Sequence, residues 1–351
     1  MKAVRWFRDR DYVETVEGLF FTVVSNLHPQ DRVIAYLKYA PSSSGLWGNK
    51  VKYSRMMPYY DIPSLLNTIQ LLEQQYPHYV YDCPFMGIKI SAVPLNYIKQ
   101  HFKPEERLAN LREESRDELE SLALELAEYI AGQAGISLSN FGVTGSILVD
   151  IHRPEFSDVD LVVYGRNNAL KVKETLRELY REGDVLKRVE GAKLEALLER
   201  RVKIFHLTRE EAFELTMRKW NRGMFRGRDF SVHPVKVEEE VKGRFEDRVF
   251  KGLGVVELKA TVADNQEALF MPAVYTVKNV EVTNGPREAE DIVEVVSYEG
   301  LYIDIAEPGE RIMVRGKLER VEDRAGGSYF RVLVGSPEAK GYDYIKPLLK
   351  N

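Results

Sequence analysis

A chain of 351 residues is long enough for two or three separate cores, and its net charge of −4 excludes a globally basic nucleic-acid binder, so any basic surface is local. One cysteine, Cys83, excludes a disulfide framework and a cysteine-rich metal centre and suits a reducing cytoplasm. The amino-terminal MKAVRWFRDRDYVETVEG lacks the uninterrupted apolar core of a signal peptide, and no stretch reaches the length of a membrane span. Charged residues make up 30%, rich in Glu, Arg and Lys, the balance thermophilic proteins favour. A cytoplasmic protein of a thermophile is the expectation.

In chain order, Arg32 to Tyr39 reads as a strand that stops at Pro41 and the Ser42-Ser43-Ser44-Gly45 loop. Ile62 to Gln75 has helical spacing, with Leu65, Ile69 and Leu72 on one face. Between them Trp47, Lys50, Lys52, Tyr53, Arg55, Tyr59 and Tyr60 interleave rings with cations, a composition that stacks bases and neutralises phosphates. The same residues also suit a tyrosine-rich core with solvated lysines around it. Ser115 and Glu118 form a capping-box pattern before Leu119, Leu122, Leu126 and Ile130, and Gly132 and Gly135 mark the end of that helix. Strands over 141–148 and 158–164 and a helix from Asn168 to Glu182 follow. From Gly252 the pattern turns to alternation: Val256, Leu258, Ala260 and Val262, then Ile312, Val314, Gly316 and Leu318, then Phe330, Val332 and Val334 across a turn at Gly326-Gly327. The predicted architecture is α+β and multidomain. It comprises an N-terminal α/β domain (1–105), an α/β core (106–245) and a small all-β, OB-like barrel (246–351).

The densest chemistry is Gly145-Ser146, followed after a gap of eleven residues by Asp158-Val159-Asp160. Strand side chains alternate, so Asp158 and Asp160 face one way and Val159 and Leu161 the other. Two adjacent carboxylates repel unless a cation sits between them, and Mg²⁺ takes one or two carboxylates while leaving positions for phosphate oxygens. A glycine admits close backbone approach to a polyphosphate, and Ser146 adds a hydroxyl and an N–H. This constellation resembles the catalytic core of the DNA polymerase β-type nucleotidyltransferase superfamily: Gly-Ser, a gap of roughly ten residues, then Asp-apolar-Asp-apolar, with Thr144 in place of the usual apolar residue. The resemblance covers about residues 115 to 240.

It implies two-metal transfer of a nucleoside monophosphate from an NTP to an acceptor, with Mg²⁺ or Mn²⁺ held by Asp158, Asp160 and a third carboxylate. In Asp229-Phe-Ser-Val-His-Pro-Val-Lys236 the positions 229, 231 and 233 share a polar face, which makes Asp229 the candidate and Glu238 the fallback; Pro234 argues against a central strand. His233 falls near the site or is a hydrogen-bonded structural residue, and His152 and Arg153 sit in the loop between the motif strands. The run RKWNRGMFRGR (218–228) has five basic residues and no acid, so Arg218, Lys219, Arg222 and Arg226 are candidates for holding a triphosphate or an acceptor's phosphates. The acceptor is expected to be macromolecular, with RNA or DNA favoured. Two other readings stand beside this one: a non-catalytic nucleotide or nucleic-acid binder, and a protein-modifying, antitoxin-like transferase.

Overall fold

The computed structural model describes residues 5–57, 61–286, 289 and 291–348, so Tyr59 and Tyr60 of the basic-aromatic segment lie outside the described residues. The chain is a multidomain α/β protein. It forms two compact units, each built from three stretches: 1–58, 91–189 and 220–242 in the first, and 59–90, 190–219 and 243–351 in the second. These units do not follow the expected boundaries at 105/106 and 245/246. The reason in the first unit is a shared core, in which Tyr12, Phe20, Tyr39 and Tyr53 are buried against Leu148, Val149 and Ile151. Apolar burial is worth about 25 cal/mol per Å², so rings from the N-terminal strands and side chains from the motif region stabilise one another.

The first unit holds two sheets. In one, Ile98–Phe102, Tyr12–Thr15, Phe20–Val23 and Arg32–Pro41 lie side by side and antiparallel; residues 91–94 and Tyr53–Arg55 also pair with Arg32–Pro41. In the other the order is Leu186–Lys187, Arg222–Phe225, Arg228–Val235, Val159–Tyr164, Phe141–Val143. There Arg228–Val235 runs parallel to Val159–Tyr164, and the remaining pairs are antiparallel. Pro234 is tolerated in this central strand because pairing with Arg222–Phe225 ends at Ser231, and beyond it only one neighbour, Val159–Tyr164, remains. Val159, Leu161, Val162 and Val163 are buried, as an apolar run between two neighbours should be.

Local sequence explains the elements that carry the motif. The helix Glu118–Ala134 is capped by Asp117, which accepts from the N–H groups of Leu119 and Glu120 at 2.9 Å each, while Ser115 donates instead to the Leu111 carbonyl. It ends at Gly135 in the left-handed conformation, φ +61°. The helix Arg166–Glu182 begins two residues ahead of Asn168. The strand expected over 141–148 stops at Val143. Gly145 takes φ +69° and Gly145–Leu148 coils into one helical turn, a conformation no strand continues through.

In the second unit the predicted helix Ile62–Gln75 is present, together with Gly191–Phe205 and Arg209–Arg218. Its sheet joins Arg248–Asp264, Ala273–Asn284, Ile292–Ser297, Ser328–Val334, Arg311–Asp323 and Tyr344–Pro347 in that order. Arg248–Asp264 also pairs along Arg311–Asp323, so the path through the first five strands returns to its start. The predicted alternation forms the core: Val256, Leu258, Ala260, Val262, Ile312, Val314, Leu318, Val332 and Val334 cluster with Leu198 and Leu215. Gly316 falls on the apolar side of that pattern because a Cβ there would lie 2.5 Å from the Leu333 carbonyl oxygen. Among the described residues no helix is long and apolar enough to cross a membrane.

Candidate active site

The turn after Phe141–Val143 lies directly over the carboxylate strand. The Thr144 N–H donates to the Asp160 carbonyl at 2.8 Å, and a Cβ on Gly145 would stand 2.7 Å from Asp160 Oδ2. Only a glycine therefore fits between this turn and the carboxylate. Ser146 is buried beside it, and its carbonyl accepts from the Ile151 N–H at 3.0 Å. Asp160 is half-buried, and Asp158 is exposed just before the strand begins. The intervening loop is braced by Arg228, which donates to the carbonyls of Pro154 at 2.7 Å and Ser157 at 3.3 Å, so this cation is structural.

Across the strand pairing, Asp160 faces Ser231, not an acid. Ser231 Oγ donates to Asp160 Oδ1, and His233 Nε2 lies 2.8 Å from the same hydroxyl and 3.7 Å from Asp160 Oδ1. With its one proton given to Asp160, Ser231 must accept from His233, which fixes that imidazole as the Nε2–H tautomer. Burial first, and Arg10 next, push His233 down to about 4, so the ring is neutral at pH 7. Asp229 is on the same polar face as Ser231 and His233, exposed, and paired across the sheet with Met224. Glu238, the fallback third acid, lies beyond the strand and accepts from Arg8 Nε at 2.9 Å, which removes it from that role.

The electrostatics separate the two motif acids. The charge of Asp160 foremost, with desolvation second, raises Asp158 to about 6; Asp158 is exposed, so the like charge dominates. Burial pulls Asp160 upward too, but His233, acting through the Ser231 hydroxyl that donates to the carboxylate, and the charge of Lys38 outweigh it and leave Asp160 well below the ordinary carboxylate range. The pair therefore carries its second proton on Asp158, and a cation is what would hold both ionised at lower pH.

Sequence reasoning missed two of the cations that act on the pair, Lys38 and Arg10. Lys38, buried on Arg32–Pro41, is lowered well below its ordinary value by burial and then by Arg55, against the pull of Asp160 and Asp158. Arg10 feels Asp160, and its backbone, at φ +72°, presents a carbonyl that accepts from Thr144 Oγ1 at 2.7 Å. Tyr36, pushed up to about 12 by burial, and Tyr39 complete this wall. No local motif marks Lys38 or Arg10. The signal for Arg55 was its place in the basic-aromatic segment.

The four cations expected from residues 218–226 divide. Arg222 pairs directly with Ser231, which pairs with Asp160, so the three form a row across one face of the sheet; its charge acts on both Asp158 and His233. Arg218 is held in the second unit by Glu214 at 2.7 Å, Glu310 at 2.7 Å and the Ile305 carbonyl at 3.0 Å. Lys219 is buried in that unit and donates to the carbonyls of Gly300 and Ile303. Arg226 pairs with Glu125. Three of the four therefore have structural partners.

Among the described residues, the group of three metal-ligand side chains within 4.8 Å of one another is Asp117, Glu120 and His152, not the motif pair with a third acid. Its donor set permits a metal. However, Glu120 already accepts from Arg107 and Arg116, and His152 Nε2 lies 2.8 Å from the Asp117 cap, so the group staples the motif loop to its helix.

Fold and site together define a multidomain α/β protein with an acidic pair under the influence of several basic side chains. No family model and no solved structure matches the chain. It is 30% identical over 352 residues to the uncharacterized protein MJ1086 of Methanocaldococcus jannaschii, across 97% of this chain and 98% of that one. The chain belongs to the family of that archaeal protein.

Proposed function

We propose that the protein is a cytoplasmic, Mg²⁺-dependent nucleotidyltransferase. The observation that carries this is the fit of Gly145 over Asp160, with no room for a Cβ, beside a second carboxylate and a wall of cations. Asp158 and Asp160 would hold Mg²⁺ or Mn²⁺, which when bound neutralises polyphosphate charge and activates the attacking oxygen. Lys38, Arg55 and Arg222 offset the charge of the NTP phosphates, and Ser146 donates to them. The acceptor hydroxyl oxygen bonds to the α-phosphorus, and the bond from that phosphorus to the β-phosphate's bridging oxygen breaks, its electron pair leaving with pyrophosphate. The hydroxyl proton passes to Asp229, the acid on the shared face. The five-strand path that returns to its start, with Ile292–Ser297 parallel to Ser328–Val334, supports reading the second unit's sheet as an OB-like barrel.

One observation favours the binding-only reading: a serine faces Asp160 at the level where a third acid would complete a metal site. Incubation with each α-labelled NTP, Mg²⁺ and cellular RNA separates the two. Transfer by wild type and loss of transfer in Asp160→Asn supports the transferase. Mg²⁺-dependent NTP binding without turnover, with any of several acceptors, supports the sensor.

A further inference from the structure

We propose that the second unit holds a hard divalent cation, Mg²⁺ or Ca²⁺, between Glu299 and Asp343. The inference is independent of the transfer reading, since neither residue belongs to the motif. The place is the carboxyl end of a parallel strand pair, where Ser297 of Ile292–Ser297 lies opposite Val334 of Ser328–Val334. Glu299 follows the first strand by two residues, and Gly335 follows the second directly. A Cβ on Gly335 would stand 3.0 Å from Glu299 Cγ, 3.2 Å from its Cδ and 3.5 Å from its Oε2. The N–H of the same glycine donates to Asp343 Oδ2 at 3.0 Å, and the Ser336 N–H joins it at 3.1 Å. Both carboxylates therefore lie against one glycine, held at φ +93°.

What points to an ion is the oxygen each acid has left over. Glu299 and Asp343 are only 8% and 3% exposed, yet Glu299 Oε2 and Asp343 Oδ1 have no hydrogen-bond partner among the described residues. The charges that act on Glu299 are those of Asp343 and Asp61, so among the described residues no cationic side chain offsets the pair. Asp61 is half-buried and caps the helix Ile62–Gln75, its Oδ1 accepting from the Ser64 N–H at 2.7 Å. Buried acids elsewhere in the chain are matched: Asp11 by Arg5 at 2.6 Å, and Glu319 by Arg331 at 2.8 Å. An uncompensated buried carboxylate is costly. Two carboxylates with spare oxygens and no donor between them suit a hard cation, which completes its shell with carbonyls and water. Without the ion a proton on Glu299 takes its place, so the pH dependence that burial gives this group belongs to the metal-free protein. The bound ion ties the ends of two neighbouring strands to the start of Tyr344–Pro347, which Asp343 directly precedes.

The test is thermal unfolding of the full chain stripped with EDTA, dialysed, and titrated with Mg²⁺ or with Ca²⁺, beside equilibrium dialysis to count bound ions. An ion that binds the folded state raises the melting temperature with its concentration. Wild type should show that rise with at least one of the two cations, and Asp160→Asn, which disables the motif pair, should keep it and still bind one ion per chain. Glu299→Gln should lose it. Its affinity should fall by more than the roughly 10- to 100-fold typical of a residue that only orients a ligand, because it removes a ligand outright. The double variant Asp160→Asn with Glu299→Gln should bind no ion at the same concentration. Glutamine matches glutamate in shape, and each protein is compared with and without the ion, so a change in baseline stability does not enter. No rise in wild type with either cation, or equal affinity in Glu299→Gln, overturns the proposal. A rise that Asp160→Asn loses and Glu299→Gln keeps assigns the ion to the motif pair and overturns it as well.

Discussion

Replacing Gly145 by alanine tests the site through a clash whose size the structure gives. The new Cβ would stand 2.7 Å from Asp160 Oδ2, whereas ordinary contact begins at 3.4 Å, so the carboxylate or the turn must yield by the difference, about 0.7 Å. The backbone adds a second cost, since φ +69° disfavours any residue with a Cβ by roughly 1–2 kcal/mol. Asp160 is not free to swing away, being tied to Ser231 and close to His233. A shift approaching 1 Å in a reacting geometry costs up to about 100-fold in rate, so Gly145→Ala should lose about 10- to 100-fold in Mg²⁺-dependent turnover while losing only the strain energy in stability. Gly132 supplies the control. It lies within the helix Glu118–Ala134 with nothing within 4 Å of a built Cβ, so Gly132→Ala should gain about 0.5–1 kcal/mol and leave turnover unchanged. Pyrophosphate release and thermal unfolding on the three proteins decide it. Wild-type turnover in Gly145→Ala would refute the idea that this turn clasps the reactive carboxylate.

Three further outcomes are expected. Arg222→Ala should weaken NTP binding roughly tenfold or more, the value of a lost charge-assisted hydrogen bond. Arg218→Ala, whose guanidinium is committed to Glu214 and Glu310, should leave NTP binding unchanged and cost about 1 kcal/mol of stability; equal loss of affinity in both variants contradicts the assignment. In the second unit Glu299 is raised from 4.5 to about 8 by burial, then by Asp343 and Asp61, and its Oε2 has no hydrogen-bond partner among the described residues. Between those two pH values the folded state keeps a proton that the unfolded state releases, so stability falls as pH rises through the window and levels off above it. Glu299→Gln should flatten that slope and stabilise the protein at pH 9 by roughly 5 kcal/mol; a melting profile with the wild-type slope would show that Glu299 ionises without penalty.

Much of the site was legible because it depends on neighbours in sequence. Alternation predicted Asp158 and Asp160 on one face, and the charge of Asp160 acts first on Asp158, which lies one residue before the strand. Glycine at 145 was expected for close approach to a polyphosphate, whereas the contact a Cβ would make is with Asp160. The helix Ile62–Gln75 and the alternating apolar positions of 256–262 and 312–318 were read correctly for the same reason: period 3.6 or 2 is a property of consecutive residues. What faces Asp160 was not legible, because Ser231 is 71 residues away and reaches it only through the register of a parallel strand pair. The basic run at 218–226 looked uniform in the sequence, yet ion pairs and carbonyls in the folded units engage three of its four candidates and leave Arg222 in the row with Ser231 and Asp160. Lys38 and Arg10 carry no local signature at all. The sequence by itself determined which residues could share a face and where the chain must turn. Only the tertiary structure decided which charges meet, since an ion pair or a strand register depends on distance in space and not on spacing along the chain.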